Sequence, residues 1–139
     1  YQPYGRGLTA EHEEGPEAEI NPYKGTFDLL KATKEIKDAV PGGIFVCTGL
    51  TWLEQFGGNV AAGGIRDGWF DLGGFGRQGF AYPDFAKDLL QDKTMYRNKC
   101  CVLCDKCYDL IQIGHCQTGC VMRDQEVYLP LYKKNVLKK

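Results

Sequence analysis

Two short apolar runs constrain this chain more than anything else in it. Ile44-Phe45-Val46-Cys47-Thr48 ends at Gly49, and Trp69-Phe70-Asp71-Leu72-Gly73-Gly74-Phe75 ends at Gly76. A continuous apolar run suits a strand buried on both faces, as in a parallel sheet. Helical patterning surrounds both runs. Phe27, Leu30, Ile36, Ala39 and Val40 recur near helical spacing among Lys31, Lys34, Glu35, Lys37 and Asp38. Thr26 is placed to cap that helix and Pro41-Gly42-Gly43 to stop it. Thr51 to Arg66 carries a mixed helical signal broken by Gly57-Gly58, and Pro83 to Leu90 reads as a short helix with Pro83 in its first turn. The order helix, strand, helix, strand, helix implies an α/β fold with parallel strands and right-handed crossovers.

Two strands alone do not make a stable parallel sheet, because both faces need cover and barrel closure takes about eight strands. The expected architecture is therefore the C-terminal portion of a (β/α)8 TIM barrel, its last two strands with their helices, followed by a Cys-rich C-terminal extension. The boundary is placed between residues 1–95 and 96–139. A first residue of Tyr1 and a loop-like opening agree with a C-terminal fragment. Residues 1–25 read as loop, with the acidic run Glu11 to Glu19 solvated. Gly42, Gly43, Gly57 and Gly58 are expected to serve tight turns.

Composition removes several classes of function. The chain has 139 residues, 43% hydrophobic and 25% charged, which is ordinary globular usage. A net charge of −1 gives no basic field, so neither nucleic acid nor an anionic membrane is an expected partner. Lys133, Lys134, Lys138 and Lys139 read as a solvated basic tail. No stretch approaches the roughly 20 apolar residues of a membrane span, and no signal peptide is visible, so a cytoplasmic setting is expected.

The segment from Gly68 to Asp84 carries a Gly-x-x-Asp start at Gly68 and Asp71, an apolar run, the pair Gly76-Arg77, then Tyr82-Pro83-Asp84. This segment resembles the final strand of the old yellow enzyme family of NADH:flavin oxidoreductases, and Ile44 to Gly49 resembles the strand before it. The resemblance spans roughly residues 26–135. It implies a bound flavin mononucleotide (FMN), with Gly49 and Leu50 donating to its phosphate from one loop and Phe75, Gly76 and Arg77 from the next. The chemistry is sound. Barrel phosphate sites lie after strands seven and eight, glycine permits close backbone approach, and an Arg fork suits phosphate oxygens. The resemblance also implies NAD(P)H as electron donor and an activated alkene as substrate. The residues that face the flavin ring and protonate substrate come from earlier strands. No catalytic residue is assigned here, they are expected upstream of Tyr1, and the chain alone is expected to be inactive. Neither His12 nor His115 matches the family's substrate-binding histidines, and His12 is expected in solvent.

Six of the seven cysteines lie between Cys100 and Cys120. Cys101, Cys104 and Cys107 follow one another at intervals of three, and Cys120 returns after twelve intervening residues. A Cys-x2-Cys-x2-Cys run with a distant fourth thiol suits an iron–sulfur cluster. The spacing is similar to the iron–sulfur branch of the same family, which includes trimethylamine dehydrogenase, dienoyl-CoA reductases and 2-enoate reductases. That likeness implies a 4Fe–4S cluster on Cys101, Cys104, Cys107 and Cys120, and an amine as the alternative substrate. A zinc site on Cys101, Cys104, Cys116 and Cys120 stays open, as part of a non-enzymatic module, although Cys-x3-Cys suits a zinc ribbon less well than Cys-x2-Cys. Disulfides are not expected. Cys47 reads as a small core hydrophobe, and Arg123, Asp124, Tyr128 and Tyr132 as part of a terminal helix or clasp.

Overall fold

A computed structural model describes residues 22–137. Residues 1–21, with the acidic run Glu11 to Glu19 and His12, lie outside the described residues, as do Lys138 and Lys139. The chain divides into two compact units, the first ending at Gly76 and the second starting at Arg77. The sequence reading sets its boundary later, between 95 and 96.

In the first unit, α1 runs from Pro22 to Ala39. It starts ahead of Thr26, which is buried inside the helix and does not cap it. Proline costs nothing in a first helical turn, where its missing N–H has no partner to lose. Leu30 is the buried member of the expected apolar stripe, while Phe27, Ile36 and Val40 are exposed. Exposed pairs Lys24–Asp28 at 2.7 Å and Lys31–Glu35 at 3.8 Å lie along the helix and contribute little in solvent. The helix ends where Gly42 takes the left-handed φ of +84°, a conformation that glycine adopts without strain.

Strands β1, Val46–Cys47, and β2, Leu72–Gly73, pair in parallel with Val46 opposite Leu72 and Cys47 opposite Gly73. Between them lie a run of 3₁₀ turns, Leu50–Phe56, and helix α2, Gly57–Arg66. The unit is thus α/β, with two parallel strands joined by a helical connection. The expectation of strands buried on both faces is corrected. Cys47 is fully buried, but Val46 is 51% and Leu72 53% exposed. Alternate residues of a strand face opposite sides, and the helices cover the Cys47 side. Thr33 of α1 donates to Cys47 Sγ at 3.7 Å, and a Cβ on Gly73 would sit 2.9 Å from Ala61 Cβ of α2. The core of this unit is Leu30, Cys47, Leu50, Ala61 and Phe70, so Cys47 is the small core hydrophobe that its apolar run implied.

The helical break also moves. It falls at Glu54, with φ 47° and ψ −123°, and not at Gly57-Gly58. Gly57 is helical and buried, and a Cβ there would meet Leu50 O at 2.7 Å and Phe75 Cε1 at 2.8 Å. Glycine serves close packing there instead of a turn.

The second unit is helical and irregular. Helix α3, Gly76–Ala81, begins at the boundary, and α4 spans Phe85–Asp92, α5 Lys106–Gln112 and α6 Tyr128–Tyr132. A π-helical turn, Lys133–Leu137, follows α6. Tyr82 is buried and donates to Asp88 Oδ2, which also accepts from Lys99 at 2.9 Å. The Lys99 ammonium lies 4.9 Å from the Tyr82 ring centre and 5.0 Å from that of Tyr96, so cation–π attraction reinforces the ion pair. Tyr132 of α6 donates to Asp109 of α5 at 3.0 Å, and Leu110, Val121 and Tyr132 form a core between these helices. A separate core holds Ala81, Cys101 and Cys120, with Leu103 against it. Among the described residues no helix is long and apolar enough to cross a membrane.

Asp71 fastens the first unit. Its Oδ1 accepts from Lys37 of α1 at 2.5 Å and its Oδ2 from the Phe45 N–H at 2.9 Å. Its own N–H donates to Phe45 O at 2.9 Å, so the residue before β2 is tied to the residue before β1 through both side chain and backbone. The Lys37 bond, then that from Phe45, hold the Asp71 carboxyl below the usual carboxylate range. A carboxyl lowered on folding stabilises above its unfolded value, about 3.9, and that contribution is lost as pH falls through the lower folded value. Asp71→Asn is therefore expected to weaken the first unit at pH 7, and its deficit relative to the parent chain is expected to shrink below about pH 4. Urea denaturation at both pH values checks this.

Candidate functional site

The parallel pairing places the carboxyl ends of β1 and β2 on one edge of the sheet. Gly49 and Leu50 follow β1, and Phe75 and Gly76 follow β2. The Gly74 N–H donates to Cys47 O at 2.7 Å and continues the pairing to that edge. Leu50 is fully buried there, and its Cδ1 lies 3.2 Å from where a Gly73 Cβ would be. The cradle that Gly57 leaves open to Leu50 O and the Phe75 ring draws the two strand ends together. Gly49 has φ +87°, and a Cβ on it would press on Leu29 Cδ1 at 3.0 Å. At Gly76 a Cβ would meet nothing within 4 Å, so its flank is open. These four positions thus share one edge, with glycine where backbone is most approachable. An open, apolar hollow of about 240 Å³ in the same unit is lined by Phe27, Leu30, Val60, Trp69 and Phe70 among others, and none of the four strand-end residues borders it.

Arg77 opens the second unit. Its Nη1 donates to Asp105 Oδ1, in an ion pair whose side chains are 13% and 4% exposed. Sequence reasoning gave Arg77 a phosphate role and missed Asp105, which nothing in a linear pattern marks as its partner. Asp105 has a left-handed φ of +57° and Leu103 one of +56°, so the loop between Cys101 and Cys107 is coiled tightly through non-glycine residues. Such backbone costs on the order of 1–3 kcal/mol per residue and persists where surrounding contacts impose it.

All seven cysteines are free thiols. Cys101 and Cys120 share one core, in which Ala81 and Leu103 also pack. The Leu103 N–H donates to Cys101 Sγ at 3.4 Å. Burial pushes the Cys101 thiol up, against that N–H bond and the charge of Arg77, and the sulfurs of Cys120 and Cys104 push it further. Burial likewise raises the Cys107 thiol, with Cys101 and Cys104 adding to the rise and Arg77 opposing it. The Cys101 thiol is thus within electrostatic reach of Cys104, Cys120 and Arg77, and the Cys107 thiol within reach of Cys101, Cys104 and Arg77. The four sulfurs are not drawn to bonding distance: among the described residues no three His, Cys, Asp or Glu side chains are gathered as a metal would need. Cys116 lies elsewhere. It packs beside Leu110, Val121 and Tyr132, with its thiol against Leu110 O at 3.5 Å. Cys100 is buried, donates to Tyr96 O at 3.4 Å, and its carbonyl accepts two bonds from Arg123 at 3.2 and 2.8 Å. His115 is exposed.

The donor set fits an iron–sulfur cluster in its chemistry. Cys101 lies within electrostatic reach of the other three thiols, an N–H already points at its sulfur, and the Arg77 cation stands near. The set Cys101, Cys104, Cys116 and Cys120 fits less well, because Cys116 belongs to the other core. The strand-end glycines likewise fit a phosphate, which needs exposed backbone and an unfilled flank.

No protein-family model, curated protein or solved structure matches the chain. Its own geometry carries the functional argument.

The Arg77–Asp105 pair has a measurable consequence. Removing one partner of a buried pair leaves the other charge uncompensated, at a cost of about 3–5 kcal/mol. Asp105→Ala is expected to destabilise the second unit by that amount, whereas the double change Arg77→Met with Asp105→Leu is expected to be nearly neutral. Denaturant titration of both variants checks the contrast.

Proposed function

We propose that the chain is the C-terminal part of an FMN-dependent oxidoreductase of the old yellow enzyme kind, with a 4Fe–4S cluster on Cys101, Cys104, Cys107 and Cys120. The observation that carries this reading is the common edge of β1 and β2, where Gly49, Leu50, Phe75 and Gly76 come together. Half-exposed Val46 and Leu72, on the face that the helices leave open, also suit a parallel sheet whose second face is covered by further chain, as the interior of a (β/α)8 barrel would be.

In this reading the strand-end backbone holds the FMN phosphate and so anchors the flavin. The thiols hold the cluster, with Cys101 and Cys120 buried beside Ala81 and Leu103 and Cys104 and Cys107 partly exposed. FMN and the cluster, when bound, supply the hydride and electron transfers, with NAD(P)H as donor and an activated alkene, or alternatively an amine, as substrate. The protein then acts on a small molecule in the reducing cytoplasm, where free thiols persist.

Two measurements test the reading. The intact purified protein is expected to show flavin absorbance with a broad iron–sulfur shoulder; a colourless, zinc-containing protein would favour a four-cysteine zinc module and overturn it. Gly76→Ala is expected to fold normally, since its Cβ meets no atom within 4 Å, yet to weaken FMN binding by roughly tenfold, because the added methyl holds the phosphate away from the backbone N–H and weakens one charge-assisted hydrogen bond. Fluorescence titration with FMN reads this, and an unchanged affinity removes the phosphate assignment.

A further inference from the structure

Gln78 is a fully buried amide in the second unit, and no sequence motif gave it a role. It lies on α3 one turn before Ala81, and these two are the buried residues of that helix. Residues three apart share a helix face, so Gln78 points to the side on which Ala81 packs with Cys101 and Cys120. Its Oε1 accepts the Cys101 N–H at 3.0 Å. That bond fixes the amide's orientation, because the flipped form would set two donors face to face. The Nε2 is then buried without a partner. A buried N–H donor is almost always satisfied, so one left over on an amide bound to the Cys101 backbone calls for an acceptor at that place.

We propose that Gln78 is a positioning residue for the cluster, holding the Cys101 backbone through Oε1 and donating Nε2–H to a cluster or thiolate sulfur. The proposal rests on the iron–sulfur reading above. Sulfur is a weak acceptor while it is a neutral thiol and a far better one as thiolate or sulfide. The amide is a neutral donor, so it satisfies such a sulfur without adding charge. Hydrogen bonds to cluster sulfurs favour the reduced, more negative state and raise the reduction potential. Arg77, held by Asp105 and also within electrostatic reach of Cys101 and Cys107, acts in the same direction.

The test uses the intact protein, reconstituted anaerobically with iron and sulfide and reduced by one electron in a dithionite titration with mediator dyes. Gln78→Met keeps the volume and removes both amide groups. It is expected to retain iron and to lower the one-electron equilibrium constant for reduction by roughly tenfold, which is about 59 mV. Pulsed EPR of the reduced wild-type protein, labelled with ¹⁵N in glutamine amides, is expected to show coupling between that nitrogen and the cluster. This second measurement stands even if the Met variant does not fold. A normal cluster without ¹⁵N coupling, or with an unchanged potential in Gln78→Met, overturns this inference and leaves the iron–sulfur reading intact. A wild-type protein that takes up no cluster overturns both.

Discussion

The carboxylate of Asp71 is the constraint on which the first unit depends. Two strands of two residues each offer few ladder bonds, and half of their side chains face solvent. Such a pair does not hold its own register. Asp71 supplies what the ladder lacks. It binds α1 through Lys37 and the chain ahead of β1 through Phe45, from a position just ahead of β2. With that register held, Cys47 and Gly73 come opposite each other over Ala61 and Leu50. The two glycine-bearing strand ends then fall on one edge, and the candidate phosphate site follows from the pairing and not from any residue reaching across space.

The second unit is organised by buried polar groups in place of a sheet. Arg77–Asp105 and Gln78–Cys101 connect α3 to the cysteine loop. Arg123 grips Cys100 from the other side of the sequence. These contacts hold backbone positions close to the thiols, where an apolar core alone would leave the loop's left-handed residues free to relax. Buried polar contacts of this kind are costly unless complete. The unpaired Gln78 amide is therefore informative in a way that an exposed one would not be.

Parts of this were legible in the linear chain. The helical stretch ending at Pro41-Gly42, the parallel order of the strands, the core role of Cys47 and a helix after Pro83 all follow from local chemistry that acts over a few residues. Thr26 misled because a side chain suited to capping is equally content inside a helix when proline can start it earlier. Gly57 misled because glycine permits close approach as readily as it permits a turn, and only Phe75 and Leu50, distant in sequence, decide which. Full burial of the strands was inferred from apolar composition, yet burial is decided by what covers each face.

By itself the sequence determined which residue types are available for chemistry and at what intervals: the thiols and their spacing, the strand-end glycines, and an Arg beside them. These are properties of residue type and interval, and folding cannot alter them. Tertiary structure alone decided the partners. It placed Arg77 on Asp105, set Cys116 apart from Cys101 and Cys120, and bound the Gln78 amide oxygen to the Cys101 backbone. Such choices depend on which side chains meet across long stretches of chain, and on the cost of burying a polar group without a partner.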